Sequence, residues 1–147
     1  MKAKELMTKN VVCVFPDMGI NEALSVMREI RVRHLPVVAG RRLLGILSDR
    51  DILPFTKGGV VVETRTVEEV MSEAPITAEA HASIARIAEL MLDYRIDAIP
   101  IMRDQQLAGL ITSSDLLGLL AGADEPKNQT LPFDFHFITP SGEAAFA

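Results

Sequence analysis

The strongest constraint on this chain is that most of it is written twice. The segment from Arg33 to Leu53, RHLPVVAGRRLLGILSDRDIL, returns from Asp97 as DAIPIMRDQQLAGLITSSDLL. The offset of 64 residues holds without a gap: Met7 pairs with Met71, Ile20 with Ile84, Met27 with Met91, Arg31 with Arg95, Pro36 with Pro100, Gly45 with Gly109 and Asp51 with Asp115. Unmatched positions mostly keep apolar against apolar, as Leu35 does against Ile99. Self-similarity at a fixed period is the mark of a duplicated structural unit.

Each copy reads as strand, helix, strand, strand, helix. A turn of helix ends at Leu6–Met7 and again at Val70–Met71, and Thr66 with Glu69 fits a capping box opening the second. Val11 to Phe15 is β-branched and apolar, a strand, with Ile76 to Ala78 as its weaker counterpart. Ile20, Ala23, Leu24, Met27 and Ile30 mark one face of a helix; Ile84, Ile87, Ala88, Met91 and Tyr94 repeat it. Leu35–Val38 and Leu43–Leu47 form a hairpin around AGRR, matched by Ile99–Met102 and Leu107–Ile111 around RDQQ. A last helix opens at Ser48 and at Thr112. One copy has too few strands to bury a sheet face alone. The expected fold is therefore α+β, two tandem β-α-β-β-α repeats packed with pseudo-two-fold symmetry, their sheets sharing one core and leaving two equivalent clefts. The expected boundaries are 1–59 for the first repeat with the start of its linker, 60–121 for the second, and 122–147 for a tail. Gly58–Gly59, in the linker from about Pro54 to Arg65, suggests a flexible or turning segment.

Composition narrows the function. Apolar residues make up 48% of the chain, enough for a packed core, while aromatics are 5% and Trp is absent, so aliphatic residues and Met must fill it. A net charge of −5 argues against a nucleic-acid binder, which needs a basic field. The single cysteine, Cys13, makes neither an intramolecular disulfide nor a metal cluster, and is expected as a small buried hydrophobe. His34, His81 and His136 have no metal-ligand spacing, so no metal is expected. A Cys13–His nucleophilic pair lacks supporting context, and no enzymatic activity is expected. The first residues carry no secretory signal and no run reaches the ~18 apolar residues of a membrane helix, so a cytoplasmic protein without membrane insertion is expected.

The duplicated GILSDRD and GLITSSD share the form glycine, any residue, apolar, hydroxyl, two residues, aspartate. The pattern has two readings. Ser48 and Thr112 can cap the helices that follow, with Asp51 and Asp115 completing each box and favoured at the positive end of the helix dipole. Alternatively, the amides at the helix start and the hydroxyl meet a phosphate, the carboxylate accepts from ribose hydroxyls, and the glycine admits a base or a backbone.

The whole pattern resembles a tandem pair of cystathionine-β-synthase (CBS) domains, a Bateman module. The resemblance runs from about Lys4 to Leu120 and rests on ELMTKNVVCVFPD, RHLPVV and GILSDRD, then EVMSEAP, DAIPIM and GLITSSD. It implies an adenosine-containing ligand (AMP, ADP, ATP or S-adenosylmethionine) in clefts between the repeats, no other cofactor, assembly into a homodimer, and a role as a stand-alone regulatory sensor. By position, Asp51 and Asp115 match the ribose-binding aspartate, and Ser48 and Thr112 the phosphate-side hydroxyl. The backbone around Val12, Cys13, His34, Leu35 and Pro36 matches the adenine wall of the first site, and Ile76, Thr77, Ala98, Ile99 and Pro100 that of the second. Arg33, His34 and Arg50 stand beside the first motif where the second has Asp97, Ala98 and Ser114. The Asp51 site is therefore expected to take phosphate better, unless these arginines are a solvated face; Arg31 and Arg95 are further phosphate candidates. His34 is either a ligand contact or a half-buried polar residue, and His81 an exposed one.

The tail departs from the repeat. LPFDFHFIT alternates Phe133, Phe135 and Phe137 with Asp134 and His136, as a strand with one aromatic face. It either folds back on its own domain or clasps a dimer mate or partner protein by strand addition. The rival to the sensor reading is a structural or interaction module whose motifs only cap helices.

Overall fold

The computed structural model describes residues 1–122, 136–138 and 144–146. In chain order these form α1 (Ala3–Leu6), β1 (Val12–Val14), α2 (Ile20–Ile30), β2 (His34–Ala39), β3 (Arg42–Ser48), α3 (Asp49–Ile52), β4 (Thr56–Lys57), β5 (Val60–Val61), α4 (Val67–Val70), β6 (Ser72–Glu73), β7 (Ala78–Glu79), α5 (Ile84–Tyr94), β8 (Ala98–Arg103), β9 (Gln106–Thr112), α6 (Ser113–Leu120), β10 (His136–Ile138) and β11 (Ala144–Phe146). The fold is α+β, and the order β-α-β-β-α occurs twice, as β1-α2-β2-β3-α3 and β7-α5-β8-β9-α6. The second opening strand lies at Ala78–Glu79, two residues beyond the expected start, because pairing of Ala78 with Ile101 fixes its register.

The chain divides into two compact units that interleave the repeats. One joins Met1–Val11 to the described residues from Ile76 to Gly122; the other joins Val12–Pro75 to β10 and β11. Each copy's leading turn therefore packs on the strands of the other copy. Ala3 and Lys4 donate their amides to the carbonyls of Ala82 and Ala80, both at 2.8 Å. Val67 and Glu68 do the same to Met18 and Pro16, at 2.8 and 2.9 Å. Thr8 and Leu110 exchange backbone hydrogen bonds at 2.9 and 3.1 Å, and β6 pairs with β3 through Ser72 and Ile46.

The repeated glycines make this exchange possible. A Cβ on Gly45 would lie 2.6 Å from the Ser72 carbonyl oxygen and 2.7 Å from Met71 Sδ. On Gly109 it would lie 2.8 Å from the Thr8 carbonyl oxygen and 2.6 Å from Met7 Sδ. Only a residue without a side chain lets another backbone come this close. A bulge precedes each glycine, between Val37 and Val38 in one β2–β3 pairing and between Ile101 and Met102 in the β8–β9 pairing, and bends the strand locally.

Each unit has its own apolar core. One gathers Val14, Met18, Ile20, Met27, Leu35, Val37, Leu47 and Ile52. The other gathers Met7, Ile87, Leu90, Met91, Ile99, Ile101 and Ile111. Of the predicted faces, Ile20, Ala23 and Met27 of α2 and Ile87 and Met91 of α5 are buried; Leu90, not predicted, joins them, and Ile30, at the end of α2, is exposed instead. Tyr94, predicted on the apolar face of α5, is exposed instead, at the last helical position. The linker turns: Gly58 and Gly59, at φ 60° and 79°, join β4 to β5 in the left-handed pair that a tight hairpin needs. Arg28 Nη2 donates to the Gly59 carbonyl at 2.7 Å, and the Arg65 guanidinium stands 5.4 Å over the Phe55 ring.

In the tail, β10 pairs in parallel with β1, matching Val12 to His136 and Val14 to Ile138, and β11 pairs antiparallel with β10. Phe133, Asp134 and Phe135 lie outside the described residues.

Candidate ligand site

Strand register gathers the predicted residues into two sets, one per unit. In the β2–β3 hairpin His34 stands opposite Ser48, Leu35 opposite Leu47 and Pro36 opposite Ile46. Strand β1, carrying Val12 and Cys13, lies beside β2 through Val14 and Val37. The second set repeats this: Ala98 faces Thr112, Ile99 faces Ile111 and Pro100 faces Leu110. Leu35, Cys13 and Ile99 are wholly buried, backbone included. Ile76 is half-buried against its unit's core.

Both hydroxyls sit where a helix begins, and both aspartates close back on them. Asp51 Oδ2 accepts from the Ser48 amide at 2.8 Å, and Ser48 Oγ accepts from the Asp51 amide at 3.3 Å. Asp115 Oδ2 accepts from the Thr112 amide at 2.8 Å and from the Thr112 hydroxyl at 3.1 Å. The caps are thus real. They do not exhaust the carboxylates, for each is half-buried and uses one oxygen, and Oδ1 of Asp51 and of Asp115 has no partner among the described residues. Capping fixes the carboxylate's rotamer and aims its second oxygen, which two ribose hydroxyls can share.

The amides at the mouth of α3 are already engaged. Asp49 donates to the Arg33 carbonyl at 3.0 Å, Arg50 to Asp49 Oδ1 at 2.9 Å, and Asp51 to Ser48 Oγ. An α3 of four residues also carries little dipole. The expected phosphate cradle of free backbone amides is absent at this site, and a phosphate there depends on side chains. Arg33 and Arg50, both exposed, line a cavity with Leu24, Met27, Arg28 and Ile52, which neither Ser48, Asp51 nor His34 lines.

Arg31 and Arg95 end α2 and α5 with φ of 58° and 52°. Glycine is the usual residue in this left-handed conformation, yet arginine occupies both matched positions. Burial pushes the Cys13 thiol up to about 12, so it is a neutral thiol and no nucleophile. His81 lies in the turn before α5 and is exposed. Among the described residues no three His, Cys, Asp or Glu side chains cluster to hold a metal, and no helix is long and apolar enough to cross a membrane. Sequence reading missed Asn10, whose Oδ1 is buried without a hydrogen-bond partner among the described residues, because only the three-dimensional packing closes it off from water.

Comparison with known proteins settles the family. The CBS domain profile matches residues 3–57 and 67–122. The chain belongs to the CBS domain family. This CBS pair is 36% identical over 114 residues to the CBS domain-containing protein YhcV of Bacillus subtilis, covering 77% of this chain and 81% of that one. It is 30% identical over 116 residues to an inosine-5′-monophosphate dehydrogenase of Korarchaeum cryptofilum, covering 78% of this chain but 23% of the dehydrogenase. Among solved structures, the CBS domain pair of protein MJ0100, in complex with 5′-methylthioadenosine and S-adenosyl-L-methionine, matches with a TM-score of 0.75 and 26% identity, over 84% of this chain and 98% of that one.

Proposed function

We propose that this CBS pair is a regulatory module that binds an adenosine-containing ligand at the Asp51 site and passes its occupancy to an unknown partner. The observation that carries the reading is the divided aspartate, half-buried in both copies: one oxygen is locked into the cap, and the other has no partner among the described residues. Ser48 and His34, opposite one another, offer a hydroxyl and an imidazole to the same ligand. The relation to a pair bound to methylthioadenosine and S-adenosylmethionine supports the ligand class. Asp51 is the stronger site, since the imidazole of His34 stands opposite Ser48 where Ala98 stands opposite Thr112. The module works as a cytoplasmic homodimer, is not an enzyme itself, and signals through different ligand affinities of two states.

The closed caps favour a second reading, an interaction module that ignores nucleotide. A thermal-shift panel with AMP, ADP, ATP, S-adenosylmethionine and NAD separates the two. A ligand at a hundred times its Kd adds about 2.7 kcal/mol, which for a chain of this size is a rise of roughly 5–10 °C. The expected result is such a rise with one ligand, lost in Asp51→Ala when that variant is compared with its own ligand-free baseline. No shift with any of the five leaves the interaction module.

A further inference from the structure

Arg33 and Arg50, expected beside the Asp51 motif, serve a different place. In the unit of Val12–Pro75 they line, with Arg28, a cavity of about 320 Å³ bordered by α2, α3 and the linker hairpin. Its apolar lining is Leu24 and Met27 of α2, Val32, and Ile52 and Leu53 at the end of α3. Three guanidiniums meet one acid there, Asp49, and that acid is partly spent, for its Oδ1 accepts from the Arg50 amide at 2.9 Å. Among the described residues neither Arg28 nor Arg33 has a carboxylate partner. The walls are held in place. Arg28 Nη2 donates to the Gly59 carbonyl at 2.7 Å and fixes the hairpin; the Asp49 amide donates to the Arg33 carbonyl at 3.0 Å and ties α3 to the residue before β2. A volume of this size has room for about ten waters at roughly 30 Å³ each, yet its apolar floor offers them no hydrogen bonds. The charge belongs to this copy and not to the shared fold: at an offset of 64, Leu92, Asp97 and Ser114 stand for Arg28, Arg33 and Arg50.

We propose that this cavity binds a small organic anion with an apolar body, in the class of a medium-chain carboxylate, its chain on Met27 and Ile52 and its head on Arg33 and Arg50. An apolar pocket with a few placed polar groups is the usual build of a small-molecule site. A planar guanidinium takes a carboxylate through two parallel hydrogen bonds. Neither part of the ligand suffices alone. A bare anion leaves the floor wet, and a neutral chain brings no charge to the guanidiniums. Asp49 in the lining opposes a second negative charge, which favours a monoanion over a nucleotide. Neither Ser48, Asp51 nor His34 lines the cavity, so the site is separate from the motif and does not rest on the adenosine reading.

The test is isothermal titration calorimetry of the full chain with octanoate, without nucleotide. Octanoate should bind about fifteenfold more tightly than hexanoate, since each buried methylene is worth about fourfold. Octanol and acetate should each bind at least about tenfold more weakly than octanoate. Arg33→Gln and Arg50→Gln, both at exposed positions, should each weaken octanoate about tenfold with the melting curve kept. Arg42→Gln, exposed on β3 and outside the cavity, should leave binding unchanged. In methyl spectra of the wild type, the signals of Met27 and Ile52 should move on titration while those of their counterparts, Met91 and Leu116, hold still. Octanoate that does not bind, octanol that binds as tightly, arginine variants without effect, or shifts at Met91 in place of Met27 each overturns the proposal. A blank nucleotide panel leaves an octanoate site standing, and a failed octanoate titration leaves the Asp51 reading untouched.

Discussion

The two copies use one motif with different surroundings. In the first, Ser48 accepts from the aspartate's amide, the helix stops after four residues, and the chain turns into a hairpin closing one side of a hollow. In the second, the Thr112 hydroxyl donates to the aspartate, and the helix continues for eight residues with leucines outward. The motif proper, a hydroxyl and a divided carboxylate at the mouth of a helix, survives both contexts. Its neighbours do not: His34, Arg33 and Arg50 against Ala98, Asp97 and Ser114. Both copies keep the part that folding needs, while their flanks differ in charge.

The largest expected effect tests what the copies share. Gly45→Ala and Gly109→Ala should each cost about 2–3 kcal/mol, since the added methyl meets backbone from the exchanged leader and cannot be accommodated by a side-chain shift. Gly118→Ala in α6, where nothing lies within 4 Å, should instead gain about 0.5–1 kcal/mol. Thermal denaturation of the three variants would refute the leader exchange if Gly45 and Gly109 behaved like Gly118.

The second effect breaks the symmetry. Asp51→Ala and Asp115→Ala should each lose about 1 kcal/mol of stability, the usual cost of a lost cap interaction. Ligand affinity should collapse in Asp51→Ala and change little in Asp115→Ala by isothermal titration calorimetry. The opposite pattern would move the principal site to the second copy.

A third difference is confined to one unit, because the partner of Cys13 in the repeat is Thr77. Burial raises the folded thiol from 9.0 to about 12, while an unfolded thiol ionises at its ordinary value. Between those values the folded state binds more protons, so stability is untouched below about pH 9 and falls as pH rises toward 12. A Cys13→Ala variant should lose this part of the alkaline slope, and a thiol reagent should label wild-type protein only as it unfolds. Rapid labelling at neutral pH in native buffer would contradict the burial.

The smallest effect concerns the helix ends. Arg31→Gly and Arg95→Gly should each raise stability by up to about 1 kcal/mol, since glycine adopts the left-handed conformation without the steric cost that arginine bears. If either substitution also weakens nucleotide binding, that arginine is a ligand contact, and the two positions are no longer equivalent.

Much of this was legible in the residues. The period of α2 and α5, the hairpins around Pro36 and Pro100, the turn at Gly58–Gly59 and all three hydroxyl–acid boxes follow from spacing, because each depends on contacts within a few residues. The box at Thr66, for one, closes as read, with its amide donating to Glu69 Oε2 at 3.0 Å. The leader exchange was not legible. Met7 and Met71 read as apolar at matched positions, and burial against either copy satisfies that pattern equally. Only the glycine at 45 or 109, demanding a neighbour's backbone, hints at the crossing. At the site, the hairpin alone would set His34 opposite Leu47; the bulge between Val37 and Val38 shifts the pairing by one residue and puts Ser48 there. Nor could it be read whether the amides of α3 were free, because the carbonyl of Arg33 and the side chain of Asp49 claim them only in three dimensions.

The exchanged leaders also set an order of assembly. Ala3, Lys4 and Thr8 find their partners, Ala82, Ala80 and Leu110, only after on the order of a hundred further residues have emerged. Severing the chain in its linker, at Gly58–Gly59, would give two fragments that each hold the other's missing piece: one carries the opening turn without its strands, the other the Val67 turn without its own. Neither half is a domain in the sense of a part that can be borrowed. Mixed together, the two fragments should complement one another as a split protein does, and a nascent chain stalled before Ala80 would still have its Ala3–Leu6 helix waiting in solvent.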